Sequence, residues 1–317
     1  MRILITGGGG FIGTHLAERL SSQAELVLLD NFRRNSLRYA PKLADAPGVR
    51  VVEADVLDAA AMREAARGVD AIIHLAAIAG VSSYDREPLR TLRVNILGTV
   101  NLLEACVAGR VGRFIDFSTS EVFGPDADGV TEEDRHGIGP VSQKRWVYAT
   151  SKLASEHFTL RYGEAHGFAA TCVRPFNVYG PRQTGEGAIG NFCRAALAGT
   201  PLLVEGDGTA VRSWCYVSDM VSAVEAILHS PAAAGQVFNI GNPAAVETTA
   251  GLAGRIARLA GGAEIRRVEM RGAEVHRRIP AIDKAQRVLD FQPRVGLDEG
   301  LSRTLDWFRS ADAGEMR

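Results

Sequence analysis

A tyrosine and a lysine lie four residues apart in YATSK, residues 148–152, just past the middle of the chain. At this spacing Tyr148 and Lys152 project from one face of a helix. A free phenol has a pKa of about 10, so it is a poor base at neutral pH. A neighbouring ammonium favours the phenolate and lowers the pKa of the phenol. The pair therefore indicates a phenol that can remove a proton from a bound molecule.

The second chemical feature is a glycine-rich loop, ITGGGGFIG, between an apolar strand-like run and an amphipathic helix pattern. Gly7, Gly10 and Gly13 allow a tight turn, a close approach of backbone N–H groups to a pyrophosphate, and close packing of the helix on the strand. The next apolar run, ELVLLD, ends in Asp30. That carboxylate can accept hydrogen bonds from both hydroxyls of an adenosine ribose. Loop and carboxylate together predict dinucleotide binding.

The identity of the dinucleotide follows from charge. Asp30 would repel a 2′-phosphate, which favours NAD over NADP as the cofactor. Arg33 and Arg34 follow closely and could attract that phosphate, but we interpret them as solvated loop charges. NAD also suits the tyrosine and lysine, because its positive nicotinamide ring would favour a phenolate at Tyr148.

The elements that could position these residues are indicated by short apolar runs that alternate with longer helical patterns. The runs are RILIT, ELVLLD, VRVVEAD, DAIIHLAA and RFIDFSTS, and between them lie stretches such as AAAMREAARG and LRVNILGTVNLLEAC. Apolar strands alternating with helices are typical of a parallel sheet covered on both faces. We predict an α/β fold with a doubly wound parallel sheet of the Rossmann type.

The pattern changes after ATCVRPFNVYGP, where loops rich in Gly and Pro become longer. We predict an NAD-binding domain at residues 1–173 and a smaller α/β substrate domain that is mainly residues 174–317. RSWCYVSDMVSAVEAIL and GQVFNIGN still resemble a helix and strand of the first sheet. The first domain is therefore expected to receive roughly residues 214–240 as well, so that the two domains are interleaved.

Composition narrows the classes of function. The 36 Lys and Arg residues balance 37 Asp and Glu residues, and the net charge of -1 offers no general attraction for nucleic acid or an anionic membrane. The cysteines form no CxxC pair and lie near no histidine cluster, so we predict core thiols and no metal site. The apolar run at the N-terminus, in MRILITGGGG, is too short for a signal peptide, and no later run approaches the roughly 20 apolar residues of a membrane span. We expect a soluble cytoplasmic protein.

Five motifs together resemble the extended short-chain dehydrogenase/reductase family, whose members modify nucleotide sugars. They are TGGGGFIG, HLAA at 74–77, STSEVFG at 118–124, YATSK, and RPFNVYGPR at 174–182. They occur in the family's order, and the resemblance extends from residue 6 to about residue 280. It implies a bound NAD that is used catalytically.

The resemblance also implies roles for particular residues. Tyr148 would remove the proton of the sugar 4-hydroxyl while the C4 hydride passes to NAD, and Thr119 would hydrogen-bond the same oxygen. The implied cofactor contacts are Gly7, Gly10, Phe11, Ile12, Gly13, Asp30, Asn31, Asp55, Val56, Leu75, Ala76, Ala77, Tyr148 and Lys152. The implied substrate contacts are Asn177, Asn191, Arg182, Arg212 and Arg278, with Arg174 as a weaker candidate.

The triplet Thr119-Ser120-Glu121 bears on the fate of a 4-keto sugar. It is similar to UDP-glucuronate decarboxylases, although some GDP-mannose 4,6-dehydratases share it. PVSQKRWVYATSK and RRIPAI also resemble segments of the decarboxylases, and the second carries their catalytic arginine over to Arg278. A guanidinium suits a C6 carboxylate because its planar fork offers paired donors.

The resulting prediction is an NDP-glucuronate decarboxylase in which Ser120, Glu121 and Arg278 position the carboxylate and control the proton at C5. Its substrate would be linked to UDP or dTDP, and its product would be an NDP-xylose or NDP-4-keto-xylose. Two alternatives keep the enzyme class, namely a 4,6-dehydratase and a 4-epimerase. A third is a non-catalytic dinucleotide-binding regulator. By analogy with the family we expect a homodimer whose interface includes the YATSK helix.

Overall fold

The computed structural model describes residues 1–270 and 275–315. The strands are β1 Arg2–Thr6, β2 Glu25–Asp30, β3 Val49–Glu53, β4 Ala71–His74, β5 Arg113–Phe117, β6 Asp126–Val130, β7 Ala169–Pro175, β8 Val178–Tyr179, β9 Leu202–Glu205, β10 Val211–Ser213, β11 Cys215–Tyr216, β12 Gln236–Ile240, β13 Val246–Thr248, β14 Ile265–Val268 and β15 Arg277–Pro280. The α-helices are α1 Phe11–Leu20, α2 Pro41–Ala44, α3 Ala59–Ala65, α4 Val81–Arg86, α5 Pro88–Leu92, α6 Gly98–Gly109, α7 Trp146–His166, α8 Ala188–Leu197, α9 Val217–His229, α10 Thr249–Leu259, α11 Asp283–Leu289 and α12 Leu297–Glu315. A π-helix at Arg93–Leu97 joins α5 to α6, and short 3-10 turns lie at Leu37–Tyr39, Ser120–Phe123 and Pro231–Ala233.

The central sheet has the strand order β12-β7-β5-β4-β1-β2-β3, and every pair in it is parallel. In β1, Ile3, Leu4 and Ile5 are all fully buried. Ile3 and Ile5 belong to one hydrophobic cluster and Leu4 to another, so both faces of the sheet are covered. The predicted doubly wound α/β fold is confirmed.

The order in which successive strands are added to the sheet reverses at β1, because β2 pairs on one side of it and β4 on the other. At such a point the loops that follow neighbouring strands diverge and leave a crevice at the carboxyl edge of the sheet. The glycine loop after β1 and the segment after β4 meet there. The fold therefore positions a ligand site at the place where the sequence has its glycine-rich motif.

A second layer is built from smaller sheets, with the orders β13-β10-β15-β6, β11-β8 and β14-β9. Strand β12 lies in the central sheet beside β7, whereas β6 lies beside β15 in the second layer. A strand from late in the chain thus belongs to the central sheet, and a strand from early in the chain belongs to the second layer. The proposed boundary at residue 173 stays a prediction, and it falls inside β7.

The four cysteines are unpaired and buried, which confirms the prediction of core thiols. They are Cys106, Cys172, Cys193 and Cys215. The continuous helical stretch Pro88–Gly109 has the length and the mean hydropathy, 1.2, of a possible membrane span, a feature that the sequence analysis did not predict. Leu102 and Leu103 in this stretch are fully buried against the central sheet, as in a core helix.

A buried ion pair supports the turn that follows β5. Arg174 donates from Nε and Nη2 to the two carboxylate oxygens of Glu156, at 2.8 and 2.7 Å, and both side chains are almost fully buried. Ser118 donates its hydroxyl to the same carboxylate, and Arg174 also donates to the carbonyl of Glu132 at 3.1 Å. Ser118 directly precedes Thr119, so this network holds the start of the Thr-Ser-Glu triplet.

We predict that Glu156→Gln lowers the free energy of unfolding by about 3–5 kcal/mol, because it leaves the buried Arg174 guanidinium without its counter-charge. Urea denaturation followed by circular dichroism measures the change. Glu299→Gln is the matched control, since Glu299 pairs with Arg303 on the exposed face of α12. That change should cost no more than about 0.5 kcal/mol. Equal losses in the two variants would contradict the prediction.

Candidate active site

The glycine loop is held so closely that side chains are excluded from it. A Cβ on Gly13 would lie 2.3 Å from the carbonyl oxygen of Gly7, and Gly7 itself has a φ of +70°. A Cβ on Gly7 would lie 2.8 Å from the backbone nitrogen of Ala76. Helix α1 begins directly after this loop at Phe11, so its free N–H groups face the crevice. The loop fits the pyrophosphate of a dinucleotide.

A cleft of about 690 Å³ opens over this loop. The predicted cofactor residues that line it are Gly7, Gly10, Phe11, Ile12, Gly13, Asp30, Asn31, Val56, Leu75, Ala76 and Ala77. Asp55 is not among the lining residues, and its partly exposed carboxylate accepts hydrogen bonds from the Asn31 amide at 3.3 Å and the Leu57 backbone at 3.0 Å. The structure thus brings the glycine loop, Asp30 and the segment after β4 to one cleft, whereas Tyr148 and Lys152 are not among its lining residues.

The Asp30 carboxylate stands at the edge of the cleft. Its oxygens accept hydrogen bonds from the backbone nitrogens of Gly9, at 3.0 Å, and Phe32, at 2.8 Å. Burial raises the pKa of the Asp30 carboxyl, and these hydrogen bonds act in the opposite direction. Each carboxylate oxygen can accept a further hydrogen bond, so the group keeps the capacity to bind a ribose hydroxyl.

Arg33 and Arg34 also line the cleft, but each is paired with a carboxylate. Arg33 donates to both oxygens of Glu87, at 3.0 and 3.2 Å. Arg34 lies 3.5 Å from Glu186, which also accepts hydrogen bonds from the Ser82 backbone and the Ser83 hydroxyl. The interpretation of these arginines as solvated loop charges is therefore incomplete, because they pair with acidic residues around the cleft.

Tyr148 is partly buried and stacks on Tyr84, with ring centroids 5.8 Å apart. Burial raises the pKa of the Tyr148 phenol well above its ordinary value, and the Glu121 charge adds to this effect. A hydrogen bond with the Thr119 side chain acts in the opposite direction. The sequence predicts that Lys152 lowers the pKa of this phenol. Within the protein itself, the loss of solvent around the phenol outweighs that effect.

Lys152 lies one helical turn from Tyr148 and is 1% exposed. Its Nζ has no hydrogen-bond partner among the described residues, and it lies 3.9 Å from Oδ1 of Asp116. The Lys152 side chain on α7 therefore faces a buried carboxylate on β5. No motif in the sequence indicates that carboxylate.

Glu121, Arg145 and Arg278 form a charged cluster beside Tyr148. Arg278 is 2% exposed, donates from Nη1 to the Ser120 carbonyl at 2.6 Å, and has no partner for Nη2 in the described part of the chain. Arg145 Nη2 lies 3.6 Å from Glu121. Burial lowers the pKa of Arg278 to about 10, and the Glu121 charge opposes the effect. The cluster therefore holds a charged guanidinium with an unused donor.

The remaining predicted substrate contacts are placed less favourably. The Asn177 amide donates to the Ser213 carbonyl at 2.8 Å, and Asn191 is exposed on α8 and accepts from Arg194 at 2.7 Å. Arg212 lies near Arg278 but donates to backbone carbonyls, including that of Val275 at 2.7 Å. Their substrate roles stay predictions.

Two arginines are committed elsewhere, so we do not retain them as substrate contacts. Arg182 pairs with Glu18 of α1, at 2.5 and 2.8 Å, and with the His15 ring at 2.9 Å. Arg174 is paired with Glu156 beneath the sheet edge. Both side chains are buried by contacts between distant segments, which their places in RPFNVYGPR do not indicate.

Asn95 is a further site residue that the sequence analysis missed. It lies in the π-helix, a type of helix found frequently at functional sites. Its amide accepts from the Ile78 backbone at 2.8 Å and donates to the Ser151 hydroxyl at 3.0 Å. Asn95 thereby joins the segment lining the cofactor cleft to the YATSK helix. Its place in LRVNILG, an asparagine inside an apolar helical run, was the available signal.

A doubly wound sheet with a glycine loop at its reversal point defines a dinucleotide-binding protein. Residues 3–241 match the sequence model of the NAD dependent epimerase/dehydratase family. The chain belongs to this family and is an enzyme of it, which confirms the resemblance noted from the motifs. The predicted cofactor, NAD, is likewise confirmed.

Three similar proteins represent three chemistries. The chain is 35% identical over 322 residues to UDP-N-acetyl-alpha-D-glucosaminuronate decarboxylase from Bacillus cytotoxicus, with 98% of each protein covered. It resembles the structure of dTDP-glucose 4,6-dehydratase from Streptomyces venezuelae with NAD and TYD bound, with a TM-score of 0.91, 31% identity, and 99% and 98% of the chains covered. It also resembles UDP-glucuronic acid 4-epimerase from Bacillus cereus in complex with UDP-glucuronic acid and NAD, with a TM-score of 0.90, 28% identity, and 98% and 100% covered.

We predict that the protein binds NAD at least about tenfold more tightly than NADP, because the Asp30 carboxylate would face the added phosphate. Asp30→Asn should reduce this preference by weakening NAD binding and easing NADP binding. Calorimetric titration of both dinucleotides into the protein and the variant measures the two affinities. Asp306→Asn, an exposed change on α12, should leave them unaltered. Tighter binding of NADP by the unmodified protein would refute the role of Asp30.

Proposed function

We propose that the enzyme is an NAD-dependent NDP-glucuronate decarboxylase. The observation that carries the proposal is Arg278, a buried guanidinium with an unused donor beside Glu121, whose charge also acts on the phenol of Tyr148. An anionic ligand stabilises a buried cation, and a carboxylate matches the planar fork of a guanidinium. A sugar that carries a carboxylate at C6 would supply that anion next to the base that acts at C4.

The first chemical step uses Tyr148 and Thr119. The phenol would take the proton of the 4-hydroxyl, and Thr119 would hydrogen-bond the oxygen as it becomes a ketone. NAD, when bound, would accept the C4 hydride, and its positive ring would favour the phenolate against the effect of burial. Lys152 adds a second positive charge on the same helix face. Both charges are needed because burial raises the pKa of Tyr148.

The second step uses the charged cluster. A ketone at C4 makes the substrate a β-keto acid, so the C5–C6 bond can break with release of CO2 while its electron pair passes to the C4 oxygen. Arg278 would hold the carboxylate until it leaves. Ser120 and Glu121 would control the proton that C5 then takes up. Returning the hydride to C4 gives an NDP-xylose, whereas release of the ketone gives an NDP-4-keto-xylose.

Arg145 and Tyr84 extend this proposal. Arg145 balances the Glu121 charge, so that a second carboxylate can approach without facing an unpaired anion. The Tyr84 hydroxyl is buried without a hydrogen-bond partner among the described residues and stacks on Tyr148. It could therefore donate to a sugar bound against the phenol. The UDP or dTDP group would extend toward Asn177, Asn191 and Arg212.

We also propose a homodimer formed through α6 and α7. Leu97, just before α6, and Phe158, on α7, are large apolar side chains that are 46% and 39% exposed. Apolar side chains on two neighbouring helices suit the four-helix interface expected from the family resemblance.

The function is tested by mass spectrometry of the products formed from UDP- and dTDP-glucuronate. We expect a product lighter than the substrate by the mass of CO2. Arg278→Met should reduce this turnover by roughly 30-fold or more, because the substrate carboxylate loses its buried partner. Arg277→Met is the matched control, since Arg277 is the adjacent, exposed residue of β15 and pairs with Asp128.

The other outcomes identify the alternatives. A product of unchanged mass from the same substrates would indicate a 4-epimerase. A uronate 4-epimerase is among the similar structures. Loss of water from an NDP-hexose, with no reaction of the uronates, would indicate a 4,6-dehydratase. Dinucleotide binding without any turnover would favour the non-catalytic regulator.

We predict that Tyr148→Phe lowers turnover by roughly 100-fold or more, because it removes the proton acceptor, while NAD affinity changes little. Steady-state product formation and calorimetric NAD titration are the measurements. Tyr162→Phe serves as the control, since Tyr162 lies on the same helix and bonds the Glu104 carboxylate near the surface. Turnover that survives in Tyr148→Phe would count against the mechanism.

A further inference from the structure

Asp116 is a buried carboxylate on the central sheet, in the strand that leads to the catalytic triplet. It is fully buried at the fourth position of β5, directly beneath α7. Its Oδ2 accepts a hydrogen bond from the Ser155 hydroxyl at 2.9 Å. Its Oδ1 has no hydrogen-bond partner in the described chain and lies 3.9 Å from Nζ of Lys152. A buried carboxylate is costly in an apolar layer unless a positive charge balances it.

The surroundings of Asp116 contain few other charges. The titratable groups that face it from β4, β7 and α7 are His74, Cys172, Tyr148, Lys152 and Glu156. Glu156 is already paired with Arg174. Lys152 is therefore the cation within ion-pair distance of Asp116 among the described residues.

The groups beside Asp116 in the sheet are held neutral. His74 is in register with Asp116, and its ring is hydrogen-bonded by Thr6 at 2.7 Å and Thr99 at 3.0 Å. Burial lowers the pKa of His74 well below its ordinary value. Cys172 is in register on the other side, and burial raises the pKa of its thiol well above the ordinary value. Neither neighbour competes with Lys152 for the carboxylate.

We propose that Asp116 is a positioning residue that supplies the counter-charge for Lys152 and thereby keeps the lysine ammonium charged on the helix face that carries Tyr148. The proposal rests on the proposed function in one respect, namely that Lys152 assists Tyr148. Asp116 itself is fully buried and is not among the residues that line the cleft. It acts through Lys152, and Ser155 fixes the orientation of its carboxylate.

Two opposing effects act on this carboxyl group. Burial raises the pKa of Asp116, and the Lys152 charge is the strongest influence in the opposite direction. The dependence is mutual, because a buried ammonium without a counter-charge also tends to lose its charge. Replacing Asp116 with asparagine keeps the shape and removes the charge, so Lys152 should lose its proton at lower pH.

The experiment follows the protonation of Lys152 directly. The chain contains only four lysines, Lys42, Lys144, Lys152 and Lys284, so protein with ¹³C-labelled lysine gives few side-chain resonances. The Lys152 resonance is assigned by its loss in Lys152→Arg. In the unmodified protein we expect it at its ammonium position, because Asp116 supplies the counter-charge. In Asp116→Asn its transition should move to lower pH by at least about one unit.

Asp306→Asn is the control, because it removes an exposed carboxylate and should not move the Lys152 transition. If Asp116→Asn fails to fold, the unmodified protein alone still tests the proposal. A Lys152 resonance at the amine position near neutral pH would overturn it. An unchanged Lys152 transition in a folded Asp116→Asn variant would also overturn it.

Activity provides a second readout. In Asp116→Asn we expect kcat to fall while KM stays within about twofold, because the substrate contacts are intact. The alkaline limb of the pH profile should move to lower pH, since the charged form of Lys152 is lost as the pH rises. The resonance measurement needs no substrate, so the role of Asp116 can be tested independently of the proposed function. A shifted Lys152 transition in a protein that decarboxylates no nucleotide sugar would support the role of Asp116 and refute the proposed function.

Discussion

Two buried ion pairs between helix α7 and the central sheet fix how the helix lies on the sheet. Lys152 faces Asp116, and Glu156 binds Arg174 with both carboxylate oxygens. The pairs are one helical turn apart, so a shift of α7 by a single residue would separate both and leave four charges unbalanced in an apolar layer. This cost fixes the position of the helix. Tyr148, one turn further toward the N-terminus, is consequently held over the end of β5.

The cofactor side is fixed by different means. There, backbone segments approach so closely that Gly7 and Gly13 leave no room for a side chain. Around the rim, Glu186 links the loop after β8 to α4 and to Arg34 through side-chain hydrogen bonds. Tight backbone packing forms the floor of the cleft, and polar side chains close its rim. A floor without side chains suits a pyrophosphate, whereas polar contacts at the rim can open and re-form.

The substrate side combines burial with incomplete pairing. Arg278 is fixed by the Ser120 carbonyl yet keeps an unused donor, and Glu121 has an unused acceptor beside Arg145. Unsatisfied buried polar groups are rare in folded proteins, and they are frequent where a ligand completes the set. The cluster therefore supports the proposed uronate substrate, whose C6 carboxylate would bind Arg278 while Tyr148 acts at C4.

The sequence by itself determined the features that depend on neighbouring residues. The strands RILIT and ELVLLD have the predicted bounds because continuous apolar runs suit a sheet buried on both faces. The glycine loop and the Tyr148–Lys152 spacing were readable because turn geometry and helix periodicity are local. Only the tertiary structure decided the partners of Arg182 and Arg174, the stacking of Tyr84 on Tyr148, the pairing of Arg145 with Glu121, and the pairing of Asp116 with Lys152. These contacts join segments that are separated in the chain. The residue pattern of one segment does not indicate which side chain of another segment will face it in the folded protein.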